Sequence, residues 1–270
     1  MRIFSLSLLA GVVSLGWSSA AAQSAGYYQT PALGPDALVF ASEGDLWRAP
    51  PSGGLAMRLT THPEAESAPM ISPDGRWIAF EASYDGPREV YVMPITGGAP
   101  VRATHEGGGV AVRGWLDDNR VIYRTSNIPG ASARLLRTVN RTTLQTADIP
   151  LSDADQATLL GDGATLAFTR YGLASSNDNA VQYRGGTMGQ LWRYKPGTDA
   201  EAVRLAADFG APIQYPMAWN GRIYFVSDKS GTDNIWSVDE QGGDPRQHTR
   251  STAWQMRSPY LQQGRIVYQS

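Results

Sequence analysis

Short hydrophobic triplets closing on an aromatic recur along the chain, separated by polar and turn-forming residues. They are Leu38-Val39-Phe40, Ile78-Ala79-Phe80, Val121-Ile122-Tyr123, Leu166-Ala167-Phe168, Ile223-Tyr224-Phe225 and Ile266-Val267-Tyr268, with aromatic-to-aromatic gaps of 40, 43, 45, 57 and 43 residues. A second apolar anchor follows most of them: Leu46-Trp47, Val90-Tyr91, Leu135-Leu136, Leu191-Trp192 and Ile235-Trp236. Gly-Gly then recurs at 53–54, 97–98 and 242–243, with Thr60, Thr104 and Thr249 beyond it. A Gly-Gly pair between strand-like runs predicts a hairpin, because both positions accept positive φ. Ahead of the first anchor lie Ser72-Pro73-Asp74-Gly75, Leu116-Asp117-Asp118-Asn119 and Gly161-Asp162-Gly163. Pro presets φ in such turns, Asp caps them, and Gly or Asn takes the left-handed corner.

Each unit therefore reads as strand, turn, strand, loop, strand, Gly-Gly turn, strand, and no sustained helical period appears after the N-terminus. A period of about 40 residues with this order predicts an all-β, six-repeat β-propeller of four-stranded blades. The blades are expected near 30–61, 66–105, 110–149, 155–207, 212–250 and 255–270, the last truncated after two strands. An incomplete blade would leave a free edge along Arg265–Gln269. From this we expect the 270 residues to be part of a longer polypeptide.

The first 22 residues break the pattern. Arg2, an apolar run from Ile3 to Trp17 and Ala20-Ala21-Ala22 have the form of an export signal, predicting a periplasmic or secreted mature domain over 23–270. The run is short for a membrane span, and no second one follows, so no membrane association is expected after cleavage. With 42% hydrophobic and 18% charged residues the chain can build a core. A net charge of −2 offers no field for nucleic acid. The absence of cysteine excludes disulfides, thiolate metal sites and a cysteine nucleophile.

Candidate chemistry is sparse. His62, His105 and His248 fall on different blades near outer-strand ends, whereas a metal or triad site needs converging side chains. No G-x-S-x-G elbow occurs, and Ser72 and Ser83 sit in a turn and at a strand end. Asp153, Asp155 and Asp162 lack Ca²⁺-loop spacing, and Asp228, Asp233 and Asn234 flank Gly231 as turn caps. The Gly-Gly pairs precede neither helix nor Lys and so form no phosphate cradle; Gly107-Gly108-Gly109 reads as a flexible connection. Trp47, Tyr91, Trp192 and Trp236 suit inter-blade packing. No catalytic residue, metal site or cofactor is expected. The insertion Tyr171–Gly189 is different. Long loops on rigid scaffolds carry contacts, and Tyr183, Arg184, Gly185, Gly186 and Thr187 join an aromatic and a cation to a Gly hinge suited to docking a peptide or a neighbouring domain.

The units 'SPDGRWIAFEASYDGPREVYVMPITGGAPVRAT' and 'GRIYFVSDKSGTDNIWSVDEQGGDPRQHT' resemble the WD40-like repeats of TolB-type propellers. More narrowly, Tyr183-Arg184-Gly185-Gly186-Thr187-Met188-Gly189-Gln190-Leu191-Trp192 is similar to the 'YRGGTxGxIW' stretch of tricorn proteases, and Asp45-Leu46-Trp47, the long insertion and 'RIYFVSD' follow in that family's order. The resemblance covers about residues 27–270. It implies the first, six-bladed propeller of a large serine peptidase that trims oligopeptides, followed by a seven-bladed propeller, a small helical segment, a PDZ domain and a catalytic domain. Such a propeller gates passage to or from the enclosed active site, and all catalytic residues belong to the later domains. The implied partners are peptides in the channel and the downstream peptidase domains, with a homo-oligomer left open. Archaeal tricorn is cytoplasmic, the alternative location. The alternative function is a TolB-like periplasmic scaffold that binds another protein. The expected channel is lined near 68–72, 112–116, 156–160, 214–219 and 256–260, with no strong charge, and so filters by width.

Overall fold

The computed structural model describes residues 27–127, 134–171, 182–252 and 256–269. The export-signal reading of residues 1–22 falls outside them, as does most of the blade-four insertion. Among the described residues, no helix is long and apolar enough to cross a membrane.

The described residues form five four-stranded antiparallel sheets, each in simple meander order. Sheet one holds β1 (Tyr28–Leu33), β2 (Leu38–Ser42), β3 (Asp45–Ala49) and β4 (Met57–Arg58). Sheet two holds β5 (Glu66–Ile71), β6 (Trp77–Ala82), β7 (Glu89–Pro94) and β8 (Val101–Arg102). Sheet three holds β9 (Val110–Trp115), β10 (Arg120–Thr125), β11 (Leu135–Asn140) and β12 (Thr146–Asp148). Sheet four holds β13 (Ala157–Leu159), β14 (Leu166–Arg170), β15 (Gln190–Tyr194) and β16 (Val203–Arg204). Sheet five holds β17 (Gln214–Trp219), β18 (Arg222–Ser227), β19 (Asn234–Asp239) and β20 (Arg246–Gln247). A two-stranded sheet of β21 (Arg257–Gln262) and β22 (Arg265–Gln269) follows.

The blade count thus differs from the expected six. Five blades are four-stranded, and the sixth repeat supplies only a hairpin. The periodicity counted second-strand anchors, and all six anchors do form second strands (β2, β6, β10, β14, β18 and β22). An anchor marks a repeat but does not guarantee its outer strands. The consequence is visible in burial. Ile223 and Phe225 in β18 are fully buried, whereas Ile266 is half-buried and Tyr268 of β22 is 42% exposed.

The recurrent Thr beyond each Gly-Gly has a specific job. Thr104 Oγ1 accepts the Val90 amide (2.9 Å) and donates to Glu89 (2.6 Å). Thr60 accepts from Leu46 and donates to Glu66 (both 2.8 Å). Thr249 accepts from Ile235 and donates to Asn234 (both 2.8 Å). Each Thr thereby ties the short outer strand to the third strand through buried groups that would otherwise lack partners. Between sheets the packing is apolar. Ala79, Val90 and Val92 of sheet two meet Val112, Trp115 and Tyr123 of sheet three, and similar clusters fill the other seams. Each blade buries its faces only against its neighbours, as repeat architectures require.

Candidate functional site

The six first strands face one axis. β1 packs on β5, β5 on β9, β9 on β13, β13 on β17, β17 on β21, and β21 on β1, so the inner ring closes. Tyr260 of β21 reaches past sheet one, where its hydroxyl donates to the Ile71 carbonyl of β5 (3.0 Å). Burial pushes this phenol up to about 12, which keeps it protonated as the donor. The ring encloses a cavity of about 400 Å³ lined by residues from all six first strands. That volume lies within the range of small-ligand sites.

Four of these strands share one irregularity. Thr30-Pro31, Ala68-Pro69, Tyr215-Pro216 and Ser258-Pro259 each form a bulge in which two residues oppose a single residue on the second strand. The opposed residue is the anchor aromatic: Phe40, Phe80, Phe225 or Tyr268. The residue before each Pro has φ of 44°, 49°, 53° and 46° respectively, a left-handed conformation that side chains disfavour. Inter-blade hydrogen bonds support it: Ala68 donates its amide to Thr30 Oγ1 (3.2 Å), and Tyr215 donates to Gln156 Oε1 (2.6 Å). All four pairs line the cavity. This repeat was not foreseen from the sequence; its signal, a Pro ahead of each of these four anchor aromatics, is weak in isolation because Pro also marks ordinary turns.

The other two strands differ. In β9 the bulge is at Arg113, beside Gly114, and β13 pairs regularly with β14. Arg113 is the charged side chain among the lining residues, so the expected uncharged wall needs correcting. Its charge is balanced. Asp155, 2% exposed, lies 2.6 Å from Arg113, 3.0 Å from Arg134 and 3.8 Å from Arg124. Burial alone would raise the Asp155 pKa, but Arg113 and Arg124 outweigh it and hold the carboxyl below its usual range. Glu81 closes the seam from sheet two: it accepts the Val112 amide (3.0 Å), and its pKa is raised by burial despite Arg113 nearby.

The blade-four loop is held from blade five. Asp228, buried at the end of the fifth sheet's second strand, accepts the Gln182 amide (2.6 Å) and pairs with Arg184 (2.9 Å). The Tyr183 ring folds back over Gly185, where a Cβ would fall 2.1 Å from the Tyr183 hydroxyl. Thr187 donates to that hydroxyl (3.1 Å). Gly186 is exposed. Gly189 approaches blade five so closely that a Cβ would meet the Ile213 carbonyl at 2.6 Å, and its own carbonyl accepts the Ile213 amide (3.0 Å). The segment is thus a self-folded clasp between blades four and five, with Tyr183 half-buried and Arg184 partly exposed.

Residues 25–270 match the family described as the tricorn protease N-terminal beta propeller domain. The chain belongs to that family. Among relatives it is similar to tricorn protease homolog 1 of Streptomyces coelicolor, 34% identical over 252 residues, covering 90% of this chain and 23% of the relative. The tricorn protease of Thermoplasma acidophilum is 24% identical over 249 residues, covering 88% and 23%. The chain therefore spans less than a quarter of the length of these relatives. In fold it is similar to the crystal structure of the tricorn protease, with a TM-score of 0.77 at 24% identity over 90% of this chain and 24% of that one. It is also similar to a putative TolB from Agrobacterium tumefaciens, with a TM-score of 0.64 at 18% identity over 82% and 80%.

The remaining candidates in this tricorn-family propeller have local partners. His62 stacks on Tyr84 with centroids 4.0 Å apart. His248 Nε2 lies 2.8 Å from Ser237 Oγ, but Ser237 is fully buried and also takes Arg222 Nε–H (2.9 Å). Burial and Arg222 lower the His248 pKa, leaving it neutral near pH 7. The three histidines stay exposed on separate blades. Asp162 caps its turn through the Ala164 and Thr165 amides (3.0 and 2.8 Å), as Asn234 ties its loop to Ser251 (2.8 Å). Gly107 is bound to Glu89 (2.8 Å), so the triple-glycine connection is anchored at its first residue.

Proposed function

We propose that this propeller is a non-catalytic gate or docking module of an exported tricorn-like serine peptidase acting on oligopeptides. The observation that carries the reading is the closed ring of six first strands around a cavity of about 400 Å³, in a chain of the tricorn N-terminal family. β21 and β22 would be the inner half of a sixth blade, completed by strands pairing on the β22 edge. An extended peptide would traverse the axis, selected by cross-section. Arg113, the one charged lining side chain among the described residues, is paired with buried Asp155, which favours a mainly steric filter. The Tyr183–Thr187 clasp would offer Tyr183 and the free side of Arg184 to a neighbouring domain. Residues 1–22 would direct the protein to the periplasm.

The test is peptide turnover by the natural full-length polypeptide carrying Thr158→Cys in the channel wall. These 270 residues have no other cysteine, so once any cysteine elsewhere in the polypeptide is replaced by serine a bulky maleimide would block the axis selectively. Turnover of long peptides should fall sharply on labelling, and unchanged turnover would refute the gate. A second reading, a TolB-like protein-binding scaffold, is favoured by the likeness to a TolB over 80% of that chain. It predicts no peptidase activity in the natural polypeptide at all.

A further inference from the structure

The channel wall is the inner edge of a ring of sheets, and sheet edges are ordinarily templates for strand addition. A row of unpaired N–H and C=O groups would capture any extended peptide threaded along it, as in recognition by β-augmentation. Here the edge is disarmed at several points around the ring. Pro31, Pro69, Pro216 and Pro259 have no N–H to offer, and all four line the cavity. The amides beside them are already used: Ala68 by Thr30, Tyr215 by Gln156, and Ala218 by Thr158 Oγ1 (3.3 Å). In β9, which lacks the proline, the Val112 amide is taken by Glu81. Acceptors are consumed too. Met70 O accepts from Trp115 Nε1 (2.9 Å) and Ile71 O from Tyr260. These partners come from adjacent blades, except Tyr260, which reaches across sheet one, so the wall satisfies itself from its own ring.

We propose that the X-Pro bulges passivate the channel against strand pairing, so that a peptide inside is not held by main-chain hydrogen bonds. The inference rests on the channel reading above and adds to it a reason why a passing oligopeptide is released and does not accumulate. Left-handed φ is a strained conformation for a residue with a side chain, and it recurs at the same place in four separate first strands.

The test uses the natural full-length polypeptide, its peptidase site blocked by a serine-directed inhibitor and its β22 edge paired as proposed above, with a fluorescein-labelled extended peptide of alternating Thr and Val read by anisotropy. A twin peptide with N-methylated backbone, unable to pair as a strand, is the control. The wild type should give no saturable binding. Pro69→Ala/Pro216→Ala/Pro259→Ala, with its fold verified by circular dichroism, should gain at least about tenfold in affinity, because each restored bond contributes roughly 0.5–1.5 kcal/mol. The gain should vanish with the twin. Saturable, N-methyl-sensitive binding to the wild type would overturn the proposal, as would a variant that gains nothing or gains equally for both peptides. If the triple variant does not fold, Thr30→Val frees the Ala68 amide with every proline kept and should gain about two- to tenfold, again lost with the twin; no gain, or an equal gain for both peptides, would overturn the proposal. Because binding is read without peptidase activity, failure here overturns passivation alone, whereas failure of the turnover assay overturns the channel reading beneath it.

Discussion

The first, second and fifth blades build the channel wall differently from the third and fourth. In the former, and in the hairpin β21–β22, an X-Pro bulge faces the axis and the wall is neutral. In the latter no proline lies in the first strand, and the seam is held by Asp155 among Arg113, Arg124 and Arg134, with Glu81 beside it. The same need, to occupy main-chain groups along the inner edge, is met by proline in one region and by charged side chains in the other. The proline solution does not depend on solution conditions. The charged one does, because it depends on carboxylates that titrate.

That contrast can be broken most forcefully at Asp155. Asp155→Ala leaves arginines at a buried site without their counter-charge and should destabilise the chain by about 3–5 kcal/mol, read as a lowered denaturation midpoint in urea. Next in size is the pH dependence of the seam. Asp155 has a lowered folded pKa, so its stabilisation is present at neutral pH and is lost as pH falls through that value. Glu81 has a raised folded pKa, so its contribution runs the other way and is lost as pH rises from the ordinary carboxylate range. Asp155→Asn should therefore flatten the acid limb of a stability profile and Glu81→Gln the opposite limb. Profiles unchanged by both would remove the charged half of the contrast. The smallest effect is expected in the proline region. Pro216→Ala should cost only about 0.4–1 kcal/mol, mainly through a freer unfolded chain, and equally at every pH.

Much of this was readable in advance. The aromatic triplets marked all six second strands, because a central strand must be apolar, and in the five complete blades the closing aromatic is buried. The Thr beyond each Gly-Gly was visible as a recurrence, though its pairing with Glu89, Glu66 or Asn234 appears only when the strands are folded together. The expected count exceeded the five complete sheets because the sixth anchor, Ile266-Val267-Tyr268, marks a second strand whether or not outer strands accompany it. The Tyr183–Thr187 segment stood out by its composition, but its anchor Asp228 lies in the next blade and no local spacing connects them. The X-Pro bulge was missed for a similar reason. Proline is common in turns, and only the register shows it opposite the anchor aromatic on the channel side.

The account stands most directly on an open but narrow axis. Thr158→Cys in the wall and Thr143→Cys on an exposed turn can each be treated with thiol reagents of increasing width, since the chain has no native cysteine. The account predicts that a small methanethiosulfonate modifies both sites readily, while a bulky branched maleimide reacts freely at 143 and far more slowly at 158. Equal rates for the bulky reagent at the two sites, or no reaction of the small one at 158, would contradict it.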